Sequence, residues 1–276
     1  MNGDDRGRQE IRVEAQRLAI PSRRGFIPAV VHRPGNIEPP ERERSSAVVV
    51  CCHGLLSAKD SEKFVGMGDR LARQGLWAVR FDFTGCGENT SAFGPSLVAT
   101  RLDDLQSVLD WVVSAHRPWG VKVAVGLFGS SLGGYLSYVF SALHPRLVKA
   151  LALWSAPARL RLIGAESVKR PPELERLWPK GLPLGEPDAV DTLPSVPNVL
   201  IIHGTDDTLV PWDHAVVLYR HAAEEKRLVL LDGADHRLTD PAVRAQAADV
   251  SVSWLARKLS ADRSREATSA DPVFHT

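Results

Sequence analysis

Residues 126–134 read Gly-Leu-Phe-Gly-Ser-Ser-Leu-Gly-Gly, directly after the apolar run Val121-Lys-Val-Ala-Val and directly before a helix-like stretch. The frame is G-x-S-x-G, with Ser131 at its centre and Gly129 and Gly133 at its corners. Glycine at both corners lets a chain turn sharply from strand into helix and thrusts the central hydroxyl out at the strand end. Few arrangements accommodate that turn, and all of them need a strand supported by neighbours and a helix packed back onto it. Ser130 is the competing hydroxyl, but it precedes the centre of the frame and faces elsewhere.

The rest of the chain supplies those neighbours. Apolar runs of strand length alternate with amphipathic stretches of helix length, the rhythm of a mostly parallel sheet covered on both faces. Strands are expected at 11–19, 25–33, 46–52, 76–82, 121–128, 148–154, 198–203 and 227–231. Helices are expected at about 61–74, 100–115, 132–143, 212–223 and 241–259. The first two strands flank the turn Pro21-Ser-Arg-Arg-Gly25 and make an antiparallel start. Residues 157–197 break the rhythm with eight prolines and no long period. This stretch is expected to be a short lid insertion over a site. Residues 1–260 therefore read as a single domain, and 261–276 as a polar, flexible tail.

Composition narrows the function. A chain of 276 residues, 44% hydrophobic and 24% charged, can bury one sizeable α/β core. A net charge of +1 does not suit a dedicated nucleic-acid surface. No apolar run approaches the roughly 18 residues of a membrane helix, and the first residues are charged where a secretory signal turns apolar, so a cytoplasmic location is expected. The three cysteines, two of them adjacent at 51 and 52, do not form a disulfide framework. Neither C-x-x-C nor H-E-x-x-H spacing occurs, and no metal or cofactor is expected. Oligomeric state is not legible.

A serine hydroxyl needs a base, and the base needs a carboxylate to fix its tautomer. After the strand at 198–203 comes His203-Gly-Thr-Asp-Asp-Thr-Leu-Val-Pro211, with acidic residues at the carboxyl end of the strand, where open α/β sheets bind ligands. After the strand at 227–231 comes Asp232-Gly-Ala-Asp-His236. His236 is the histidine placed to reach Ser131; His214 and His221 fall on a helix and His203 at a strand end. Of Asp206 and Asp207, one orients the base while the other caps the turn.

Four segments carry a family resemblance: Cys52-His53-Gly54-Leu55, Phe81-Asp82-Phe83-Thr84-Gly85-Cys86-Gly87-Glu88, the nucleophile turn, and His203 to Pro211. Over nearly all of residues 25–260 the chain resembles the α/β-hydrolase superfamily, and within it the small serine esterases and serine-aminopeptidase-like hydrolases. The resemblance implies the α/β-hydrolase fold, with about eight strands and helices on both faces, and a triad of Ser131, Asp207 and His236. Asp207 stands at the fifth position of H-G-x-x-D-x-x-V-P, which carries the acid in such relatives. The backbone amides of Leu55 and Leu132 become the oxyanion hole, His53 a loop-fixing residue, and Asp82 and Glu88 structural. The implied reaction is hydrolysis of small-molecule carboxylic esters through an acyl-enzyme. Peptidase, amidase or thioesterase activity would use the same residues. A non-hydrolytic relative or a silent binding protein shares only the fold. Within the insertion, Leu160, Leu162, Ile163, Leu177, Trp178 and Leu182 are candidates for an acyl pocket, and Arg159, Arg161, Lys169 and Arg170 for a carboxylate contact.

Overall fold

Val48, Val49, Val50, Cys51 and Cys52 are each at most 1% exposed, so this run must be covered on both sides along its length. The structure, a computed structural model, describes residues 13–34, 46–114, 123–160, 179, 181–185 and 193–268. Its elements are β1 (Val13–Ser22), β2 (Gly25–Pro34), β3 (Ser46–Cys52), α1 (Glu62–Arg73), β4 (Trp77–Phe81), α2 (Leu97–Val113), β5 (Val123–Ser130), α3 (Leu132–Leu143), β6 (Val148–Trp154), β7 (Val199–Gly204), α4 (Asp213–His221), β8 (Lys226–Leu231) and α5 (Pro241–Thr268). All eight expected strands and five expected helices are present. The differences lie at their ends: β5 runs on to Ser130, α2 begins at Leu97 and α5 continues to Thr268.

The strands form one sheet in the order β1-β2-β4-β3-β5-β6-β7-β8. β1 and β2 form an antiparallel hairpin, β2 pairs antiparallel with β4, and the remaining pairs are parallel. From β3 the chain moves outward to β4, then crosses back over β3 to β5 and proceeds the other way. The order therefore reverses between β3 and β5, and a crevice opens beyond their carboxyl ends.

Side-chain alternation divides the core in two. Val48, Val50, Leu127, Leu151 and Ile201 face α2, α3 and α4, while Val49, Phe128, Trp154, Ile202 and Leu200 face α1 and α5. Both faces of the central strands are buried, which is why these strands read as unbroken apolar runs. Cys51, Cys52 and Cys86 are buried free thiols. Most of the insertion expected at 157–197 lies outside the described residues. Two of its candidate pocket residues are described: Leu160 is 7% exposed within the core cluster, and Leu182 packs against that cluster. Both hold the segment to the body.

The insertion also completes a helix. Leu97 N–H donates to the Pro183 carbonyl at 2.9 Å and Val98 N–H to the Leu184 carbonyl at 3.0 Å. Ala99 N–H donates to Ser96 Oγ at 3.1 Å, and Thr100 N–H to Ser96 O at 3.0 Å. The first turn of α2 thus leaves no backbone donor unanswered. Replacing Ser96 by Ala removes one of these acceptors and should cost about 1 kcal/mol in denaturant titration; an unchanged midpoint would refute the capping role.

Candidate active site

Ser131 sits between β5 and α3 with φ 54° and ψ −126°, a backbone conformation rare for any residue but glycine. Neighbours hold it there. Its N–H donates to the Trp154 carbonyl of β6 at 2.8 Å, and its own carbonyl accepts from Gly134 N–H at 2.8 Å and Tyr135 N–H at 3.1 Å. The corner glycines permit this through close packing: a Cβ on Gly133 would stand 2.1 Å from the Cys52 carbonyl oxygen, and one on Gly129 would stand 2.5 Å from the Gly133 carbonyl oxygen. Both of these glycines are therefore steric requirements of the turn.

The structure brings the three expected side chains together. His236 Nε2 lies 3.0 Å from Ser131 Oγ, and His236 Nδ1 lies 2.7 Å from Asp207 Oδ2. Asp207 Oδ1 accepts from Leu209 N–H at 3.0 Å and Val210 N–H at 2.8 Å. The Asp207 side chain is fully buried, whereas that of His236 is 16% exposed. Burial by itself would raise the Asp207 carboxyl, but hydrogen bonds from His203, His236 and the Val210 amide outweigh it and hold it well below the usual carboxylate range. Asp206 is exposed and meets the neighbouring loop through its backbone, donating to the Ala234 carbonyl at 3.0 Å. Ser130 is turned away: its Oγ accepts from Lys63 Nζ at 3.2 Å.

The loop after β3 lies against this group. A Cβ on Gly54 would be 3.2 Å from Ser131 Cβ. His53 orients the loop: its Nδ1 donates to the Gly54 carbonyl at 2.8 Å, and its Nε2 accepts from Phe83 N–H at 3.0 Å. The Gly54 carbonyl and the Leu55 N–H share one trans peptide plane and point in opposite directions. Drawing that carbonyl toward His53 therefore turns the Leu55 N–H the other way. Among the described residues nothing accepts from the Leu55 or Leu132 N–H, and Leu132 opens α3. Burial first, and the Arg101 guanidinium second, push His53 down to about 4, so it stays neutral. Beneath the loop, Asp82 accepts from Lys59 N–H at 2.8 Å, Lys59 Nζ at 2.9 Å and Glu88 N–H at 2.9 Å, while Glu88 pairs with Lys59 Nζ. Through these bonds Asp82 and Glu88 tie the loop at Lys59 to the turn after β4.

Two neighbours of the site went unassigned in the sequence. Lys63 Nζ, besides its bond to Ser130, stands 5.5 Å from the centre of the Trp154 ring. Burial, with Arg244 and Arg237, pushes it down to about 8, against the pull of Asp235 and Asp207. A lysine on a mixed helix face carries no signal of such a place. His203 Nε2 lies 3.1 Å from Asp207 Oδ2; its signal was its standing four residues before the acid in the same motif. Among the described residues no helix is long and apolar enough to cross a membrane.

This sheet order, with the site at its reversal point, defines an α/β hydrolase. The chain belongs to the serine aminopeptidase S33 family, whose model matches residues 43–189. It is 31% identical over 195 residues to YfhR, an uncharacterized protein of Escherichia coli K12, covering 70% of this chain and 64% of that protein. The chain thus spans less than two thirds of that relative's length. The structure of Est1E of Butyrivibrio proteoclasticus with bound ferulic acid is similar at a TM-score of 0.67 and 18% identity, covering 88% of this chain and 99% of the other. An esterase of Pyrococcus furiosus is similar at a TM-score of 0.68 and 17% identity, covering 89% and 91%.

Gly133→Ala should destabilise the protein by about 3 kcal/mol or prevent folding, because the carbonyl it strikes belongs to a central strand; a wild-type melting temperature would refute the steric account. His53, neutral when folded, contributes stability that is complete above about pH 6.5 and is lost as pH falls through about 4. His53→Asn should accordingly show a shallower loss of melting temperature across that window than wild type. Parallel curves would show that His53 does not titrate on unfolding.

Proposed function

We propose that the protein is a serine hydrolase cleaving carboxylic esters through an acyl-enzyme, with Ser131 as nucleophile, His236 as base and Asp207 as the orienting acid. The observation that carries this reading is the relay of 3.0 Å from Ser131 Oγ to His236 Nε2 and 2.7 Å from His236 Nδ1 to Asp207 Oδ2. Asp207, kept ionised, accepts the Nδ1–H and leaves the Nε2 lone pair facing the hydroxyl. As Ser131 Oγ attacks the ester carbon, its proton passes to Nε2. The carbonyl oxygen becomes an oxyanion, and the Leu55 and Leu132 amides stabilise it, the second aided by the positive end of α3. Collapse of the tetrahedral intermediate expels the alcohol, which takes the proton from His236. Water then repeats the sequence on the acyl-enzyme and releases the acid.

Exposed apolar side chains lie close in sequence to the proposed site residues. Leu56 follows the oxyanion residue and is 51% exposed, and Leu209 and Trp212, beyond Asp207, are 51% and 42% exposed. Such side chains suit a short or aromatic acyl group better than a charged one, and the structure of Est1E, of the same fold, holds ferulic acid. The family's description as a serine aminopeptidase favours a second reading, hydrolysis of aminoacyl amides by the same residues.

A panel of p-nitrophenyl esters of varied acyl length, thioesters and aminoacyl amides separates the two readings. Ester turnover should exceed amide turnover, and Ser131→Ala should lower it by roughly a million-fold with the fold intact. Asp207→Asn should cost about ten-thousand-fold and Asp206→Asn almost nothing. A folded Ser131→Ala protein that retains its turnover would overturn the assignment.

A further inference from the structure

A second imidazole sits behind the acid. The His203 side chain is fully buried, with Nε2 2.8 Å from the Val210 carbonyl oxygen and 3.1 Å from Asp207 Oδ2. Both of those oxygens can only accept, so Nε2 must carry a hydrogen. Among the described residues Nδ1 has no hydrogen-bond partner, so nothing there favours the other tautomer. The oxygen that His203 reaches is the one His236 Nδ1 reaches at 2.7 Å, while Oδ1 is held by Leu209 N–H and Val210 N–H. Val210 is gripped at both ends of its backbone, its N–H by Asp207 and its carbonyl by His203.

We propose that His203 is a positioning residue for the acid: its Nε2–H, shared between the Val210 carbonyl and Asp207 Oδ2, keeps that oxygen facing His236 and draws part of its charge away from the His236 bond. This rests on the Ser131–His236–Asp207 reading above. The other charged or titratable groups acting on Asp207 are His236 from the loop after β8, His214 from α4 and Lys63 from α1. Among the described residues, only His203 and His236 bring a side-chain nitrogen within hydrogen-bond reach of Oδ2. A carboxylate serving two imidazoles is a weaker acceptor for each, and it stabilises the imidazolium of the base less than one serving His236 alone. Losing the His203 donor therefore has two consequences. Oδ2 loses a tether, which lowers kcat, and the remaining bond strengthens, which moves the acid limb of the kcat/KM profile to higher pH.

The test pairs His203→Gln, whose side-chain N–H reaches about as far as Nε2, with His203→Asn, whose N–H falls short of Asp207. Asn should lower kcat by about tenfold with KM nearly unchanged, and should shift the acid limb upward. Gln should restore most of kcat and the wild-type limb. An Asn variant with wild-type kcat and limb, or Asn and Gln variants that lose equally with the limb unmoved, would overturn the role, the latter leaving only packing. Should Asn not fold, ¹⁵N-histidine NMR of the wild-type protein decides: His203 must hold its hydrogen on Nε2 across the active pH range, and a hydrogen on Nδ1 overturns the proposal. Labelling with a fluorophosphonate reads the parent arrangement separately. Wild-type protein that does not label at Ser131 sinks the triad, whereas labelling beside an indifferent Asn variant sinks only the role of His203.

Discussion

The first turn of α3 touches the end of β3, and the site depends on that contact. Gly133 lies so close to the Cys52 carbonyl that no side chain fits between them. This approach brings the turn at Ser131 and the loop at Gly54 and Leu55 side by side, and it occurs where the strand order reverses between β3 and β5. It also bears on the unusual backbone of Ser131, because a positive φ on a serine persists only when its surroundings over-determine it. The bonds to Trp154, Gly134 and Tyr135 provide that determination from a neighbouring strand and from the helix itself.

A second constraint supports the loop from below. Lys59 is 2% exposed and lies among Asp60, Asp82 and Glu88, while Arg80 reaches Asp60 and the Lys59 carbonyl. Buried charges of this kind contribute little net stability, but losing one member leaves its partners uncompensated. Lys59 is gripped at its N–H, its carbonyl and its ammonium, so the network fixes a stretch of main chain only a few residues beyond Leu55.

The centre of the fold was legible because the strands from β3 to β7 are buried on both faces. The runs at 46–52, 148–154 and 198–203 show no alternation, and only a covered parallel sheet accommodates that. The ends of elements were less legible, since capping depends on partners far away in sequence: α2 begins at Leu97 because the Pro183 and Leu184 carbonyls meet its first amides. At the site, Ser131, Asp207 and His236 stand out because glycine turns at strand ends mark them. Lys63 does not, because a lysine on a helix reads as ordinary; His203 stands in the motif of the acid, but its approach to Asp207 appears only once the turn after β7 is folded. The choice of Asp207 over Asp206 came from a motif, and its physical content is burial: one side chain points inward to two imidazoles and two amides, and the other points to solvent.

The segment at 181–185 lends α2 two carbonyl oxygens, one of them contributed by a proline, and packs Leu182 and Leu184 against the core. The carbonyls could come from any residue, but the docking makes a demand at Gly185, which has a φ of 91° and where a Cβ would stand 2.4 Å from Ser96 Oγ. The start of α2 is thereby tied to a stretch far along the chain, and exchanging Gly185 would be felt in the first turn of that helix.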